Sequence, residues 1–166
     1  MTLTTHAIAG ATLATLVPNY PVLGFVLGFG SHYLLDAMPH WAYSIKGLEK
    51  DKESSLNTKM VISKSSYKDL FIVGMDGILG LLLSFIILGI LFHASLLVIF
   101  IGAAGGMLPD FLQFCYWMWK PKLLKPLQKL HDSAHTSIRI DDMPFLGVTS
   151  QLLIIFLVVF IFKCIF

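Results

Sequence analysis

Three long stretches of this chain each carry one charged residue: residues 71–92 hold only Asp76, 94–119 only Asp110, and 144–166 only Lys163. Each is longer than the about 20 apolar residues that cross a bilayer as a helix. Such runs need hydrocarbon or protein around them on every side. With 13% charged residues and a mean hydropathy of +0.78, the chain is too poor in charge to solvate a water-facing surface. No sustained alternation of apolar and polar residues favours a barrel, so the expected class is a small polytopic helical membrane protein.

Prolines and polar clusters divide the chain further. Helix one is expected over 4–17, ended by Pro18-Asn19-Tyr20-Pro21, and helix two over 21–38, stopped by Pro39. At 1.5 Å per residue helix one reaches about 21 Å against a hydrocarbon thickness of about 30 Å, so it dips in or crosses at its limit. Helix three is expected over 69–92, with a capping box at Ser66–Asp69, helix four over 94–117, a short helix over 126–136 opened by Pro126, and a last span over 144–166. That makes four or five membrane-inserted helices and one short amphipathic interfacial helix in a single domain, 1–166. The Lys-, Asp-, Glu- and Ser-rich segment 47–66 reads as a mobile loop. The Gly24/Gly28 and Gly102/Gly106 spacings, with Gly74, Gly77 and Gly80, allow close helix approach.

Basic residues set the expected orientation. Lys46, Lys50, Lys52, Lys59, Lys64 and Lys68 lie in one connection, and Lys120, Lys122, Lys125, Lys129 and Arg139 in another. The positive-inside rule puts both in the cytoplasm, in an inner or plasma membrane. No Lys or Arg precedes the first apolar stretch, so a cleaved secretory signal is not expected. The aromatic patch Phe114, Tyr116, Trp117 and Trp119 reads as an interface belt. Cys115 and Cys164 form no metal-type or redox pair. A net charge of +2 is too small for a nucleic-acid surface.

The remaining polar groups converge. His6 opens helix one; His32, Asp36 and His40 end helix two; Asp76, Asp110 and the pair His131/His135 fall at the same level of their own helices. Residues four apart on a helix differ by about 40° in direction, so His32 with Asp36, and His131 with His135, can share one ion or two neighbouring ions. Ionisable groups are costly in a membrane, and an unpaired carboxylate there attracts a cation. The candidate ligands are therefore His6, His32, Asp36, Asp76, Asp110, His131 and His135, with His40 or a free carboxylate as acid–base group. Imidazole and carboxylate without thiolate suit a divalent transition metal, zinc above all, with manganese or iron also fitting. Seven ligands exceed one tetrahedral site and fit two bridged ions that activate water against a phosphate ester.

The early His6, the His-x-x-x-Asp of His32 and Asp36, the Gly-x-x-x-Pro-Asp form ending at Asp110 and the late pair His131/His135 resemble, in that order, the YdjM-like membrane-bound metal-dependent hydrolases. They resemble more distantly the helical zinc-dependent phospholipase C proteins. The resemblance implies a helical membrane protein with a multi-metal hydrolytic centre. The expected function is hydrolysis of a phosphate ester, of which a phospholipid is one form, presented by the bilayer at the cytoplasmic face. Lys-rich loops would draw anionic headgroups to it. Two other readings use the same residues. A structural or partner-binding membrane protein would use them as a polar helix-packing cluster. A metal or proton transporter would need them to continue outward, where 81–91 and 94–101 offer only Ser84 and Ser95.

Overall fold

In the computed structural model, which describes residues 1–51, 54–136, 138 and 142–165, six helices carry the chain: α1 (Leu3–Thr15), α2 (Pro21–Asp36), α3 (Lys64–Ser84), α4 (Leu96–Trp119), α5 (Lys125–Ala134) and α6 (Pro144–Ile165). Lys52 and Arg139 of the basic connections lie outside the described residues.

The short first helix is the centre of the molecule. Helix α1 is built of Ala, Thr, Leu, Ile and Gly around His6 and has no charged face, and such a helix is stable only when enclosed. It packs against α2, α3, α4 and α6, and Ala7, Ile8, Ala11 and Ala14 are buried. The enclosure depends on close backbone approach. A Cβ on Gly10 or on Gly28 would stand 2.5 Å from the Gly102 carbonyl oxygen, and one on Gly106 would collide with the carbonyl of His6. The Gly24/Gly28 and Gly102/Gly106 spacings thus lie where α1, α2 and α4 cross.

Among the described residues, three helices are long and apolar enough to cross a membrane: Lys64–Ile90, Leu96–Trp119 and Pro144–Cys164. The first of these runs from α3 into a π-helical segment, Phe85–Leu91. Helices α1 and α2, with 13 and 16 residues, fall short of the about 20 that a span requires. Three candidate spans therefore stand where the sequence predicts four or five inserted helices.

Helix α3 begins earlier than its sequence suggests. Ser63 caps it, accepting from Ser66 N at 3.3 Å while the Ser66 hydroxyl accepts from Ser63 N at 3.1 Å. Asp69, expected in that box, instead accepts from the backbone N–H groups of Lys46 and Gly47 at 2.7 and 3.2 Å. The segment 47–66 contains a two-residue antiparallel ladder, β1 (Leu48–Glu49) with β2 (Lys59–Met60), pairing Leu48 with Met60. It is fastened to the end of α4: Lys120 Nζ donates to the Leu56 carbonyl at 2.7 Å and to that of Thr58, and the Tyr116 hydroxyl donates to Leu56 at 3.2 Å.

Candidate metal centre

Helix α2 ends in His32 and Asp36, one turn apart and both buried. The Nδ1 of His32 is 2.9 Å from the Gly106 carbonyl oxygen, and a carbonyl only accepts, so this nitrogen carries the proton. In the neutral ring Nε2 is then left with its lone pair, 3.1 Å from Asp36 Oδ2 and 3.8 Å from Asp110 Oδ1. His40, just past Pro39, repeats the arrangement. Its Nδ1 donates to the Met38 carbonyl at 2.7 Å, and its Nε2 stands 3.7 Å from Asp36 Oδ1. A backbone carbonyl fixing one ring nitrogen so that the other faces outward is the usual second layer of a metal-binding histidine.

Three more elements aim at the same carboxylate. From α1, His6 stacks on His32 with ring centroids 3.9 Å apart and puts Nε2 3.2 Å from Asp36 Oδ1. From α5 and its C-terminal cap, the Nε2 atoms of His131 and His135 lie 3.7 and 3.6 Å from Asp36 Oδ2. His131 Nε2 is also 3.7 Å from Asp110 Oδ1, presented by α4 one residue after Pro109. Five imidazole nitrogens thus surround one carboxylate, and the Met1 amine adds a contact at 3.1 Å to Oδ1.

Two groups of donor atoms result, each with members within 4.8 Å of one another: His32, Asp36, Asp110 and His131; and Asp36, His40 and His135. Asp36 belongs to both. His6 Nε2, His32 Nε2, His131 Nε2 and Asp36 Oδ2 are buried without a hydrogen bond. Leaving such atoms unpaired costs about 1–3 kcal/mol each, more for a charged group. A cation among His32 Nε2, His131 Nε2 and Asp36 Oδ2 would satisfy these three at once, so this buried His/Asp cluster can hold a metal ion. Three of the histidines are held toward the neutral form. Burial holds His131 and His135 below the ordinary histidine range, Asp110 opposing this at His131 and Asp36 at His135. Burial and then the Met1 amine push His40 down to about 4. Neutral imidazole is the ligating form.

Of the sequence-predicted site residues, His32, Asp36, His40, Asp110, His131 and His135 fall in the two groups; His6 contacts Asp36 and stacks on His32 but joins neither group, and neither does Asp76. Its carboxylate accepts from Thr4 N at 3.1 Å and from Thr4 Oγ1 at 2.6 Å, capping from α3 the exposed N–H groups of the first turn of α1. His40, expected as an acid–base group, stands in a ligand's position in the second group. His93 is exposed in the turn before α4, away from the centre. Sequence reasoning passed over Gln151 of α6, which is buried. Its Oε1 accepts from Thr2 N, Thr2 Oγ1 and Thr5 Oγ1 at 3.0, 2.8 and 3.1 Å, and its Nε2 donates to the Trp41 carbonyl at 3.0 Å. A lone amide in an apolar run was the available signal. No protein-family model, curated protein or solved structure matches this chain.

Proposed function

We propose that this chain is a membrane-embedded, metal-dependent hydrolase of phosphate esters, with its centre at the cytoplasmic face and zinc as its natural ion. One observation carries the reading: five imidazole Nε2 atoms lie 3.1–3.7 Å from the two oxygens of Asp36. A carboxylate that served only to pair two helices would need one or two donors, and each further buried imidazole adds desolvation cost with no acceptor to offset it. Two neighbouring ions use the surplus. His32, Asp110 and His131 would hold one, His40 and His135 the other, and Asp36 both.

Such ions supply Lewis-acid charge to the phosphoryl oxygens and lower the pKa of a nucleophilic water. The chain's own residues do the rest. Gly106 and Met38 fix the tautomers of His32 and His40 through their carbonyls, and His6 closes the buried side of the centre against water. Asp110, 26% exposed, and His135, 37% exposed, are the members of the centre that an incoming substrate reaches.

The membrane setting follows from the same surfaces. Val22, Val26 and Leu34 of α2 are more than half exposed, an arrangement stable in lipid, so α1 and α2 enter the bilayer as a short hairpin beside the three longer helices. The lysines at the centre's end of the molecule support a cytoplasmic location. The test is elemental analysis of detergent-purified protein together with turnover of bis(p-nitrophenyl) phosphate, beside the His32→Ala, Asp110→Ala double variant. Bound transition metal and chelator-sensitive turnover, both lost in the variant, are expected. A folded wild-type protein without metal would make the cluster a packing device and the protein a structural or partner-binding one.

A further inference from the structure

A cavity of about 990 Å³ opens beside the centre, and its lining joins members of the ligand groups to an apolar wall. His40, Asp110 and His135 line it, and Asp110 and His135 are the two members of the ligand groups that are not buried. The rest of its lining is mixed: Leu70, Val73 and Gly74 of α3 and Met107, Phe111 and Trp117 of α4 form an apolar wall, and Lys50 and the carboxylates Asp51, Asp69 and Asp132 also border the cavity. Both helices belong to candidate membrane spans. The apolar wall continues onto the outer surface through Phe71 and Met75 of α3 and Phe111 of α4, all well exposed. The apolar part of the cavity therefore adjoins the surface that lipid covers.

Size and polarity narrow the occupant. A volume near the top of the about 300–1,000 Å³ range of small-molecule sites is far more than a water-soluble phosphate ester fills. A cation-holding cluster complements a phosphate, and a wall of Leu, Val, Met, Phe and Trp side chains complements an alkyl chain. We infer that the cavity between α3 and α4 binds a phosphate-bearing amphiphile, its chain lying along Val73, Gly74 and Phe111 and its phosphate meeting the His40–Asp110–His135 edge of the metal centre. This rests on the hydrolase reading for the phosphate, and it makes the substrate class a lipid phosphate ester drawn sideways from the bilayer.

Gly74 provides the test. A Cβ there meets nothing within 4 Å, so a larger side chain fills the cavity without forcing helices apart. The probe is a bromine-labelled dodecyl phosphate, read by quenching of Trp117 in metal-loaded protein in a neutral maltoside micelle. Trp117→Phe identifies the signal, since Trp41 and Trp119 also emit. Saturable quenching is expected, at least about tenfold tighter than with the matching brominated alcohol. Inorganic phosphate should compete weakly, because it lacks the chain. Gly74→Phe should weaken the phosphate probe by a similar factor while helicity and metal content stay at wild-type values.

Equal quenching by alcohol and phosphate, full competition by inorganic phosphate, or an unaffected Gly74→Phe would each overturn the inference. Turnover of bis(p-nitrophenyl) phosphate by wild-type protein separates the two readings. Turnover without amphiphile binding leaves the hydrolase and removes the lipid site; amphiphile binding without turnover does the reverse.

Discussion

Asp36 is the residue on which the others depend. It alone belongs to both ligand groups, whereas His135 serves only the second and lies at its open edge. Their replacements should therefore differ in stoichiometry and not merely in degree. Asp36→Ala is expected to take bound metal from about two equivalents to none, and His135→Ala from about two to about one. Elemental analysis of the folded variants decides; equal losses would mean a single ion. His6, His32, Asp36 and Asp110 were legible in the sequence because each is an ionisable group set in an apolar run, where few explanations exist, and His131 and His135 because their spacing puts two ligands on one helix face. Asp76 satisfied the same criterion and is used differently. Its partner, Thr4, is 72 residues away, and the need it meets, the unpaired N–H groups at the start of α1, has no signature in side-chain spacing. Intramembrane carboxylates can answer helix termini as well as cations.

At the scale of elements, the sequence located the helices well and their roles less well. Chain punctuation by Pro18, Pro21, Pro39 and Pro126 fixes boundaries locally, so α1, α2 and α5 are found close to where they were expected. The start of α3 moved to Lys64 because two serine-headed boxes compete there, and the Lys46 and Gly47 N–H groups draw Asp69 out of one of them. The central place of α1 was hidden, since a helix with no charged face carries no stripe to show what it faces. The glycines mark it instead. Gly102→Val should be among the most damaging apolar changes in the chain, because its Cβ would lie 2.5 Å from both the Gly10 oxygen and the Ala14 Cβ. A loss of at least about 1–3 kcal/mol is expected. Gly74→Ala, with open space around its Cβ, should be neutral or gain up to about 1 kcal/mol from helix propensity. Unfolding of both variants in mixed micelles, read by helicity, checks the contrast; equal effects would refute the crossing as the source.

The molecule as a whole joins an apolar helical frame to a hydrophilic cover, and the two parts are held by different forces. Helices α1, α2 and α4 interlock through backbone approach over buried apolar residues, which needs no ion. Helix α5 is hydrophilic, and only Gln128 and His131 within it are buried. Polar ties join it and its C-terminal end to the rest: His131 and His135 toward Asp36, Asp132 accepting from Ser55 Oγ at 2.7 Å, and Thr136 N donating to the Asp36 carbonyl at 3.0 Å. With ions in place, the two histidines bind α5 to α2 and α4 through the ligands they share. Without ions, the His131 imidazole is a buried group lacking a partner, and a helix that opens hydrates it. Ligand binding stabilises the state that binds, so chelation should lower the cost of lifting α5 while leaving the frame unchanged. Amide hydrogen exchange over residues 125–136 is expected to accelerate at least about tenfold on chelation, a shift of about 1.4 kcal/mol in local opening. Exchange around Gly10 and Gly102 should not change. Uniform acceleration would make the ions a support of the entire fold, and no acceleration would mean that α5 docks without them.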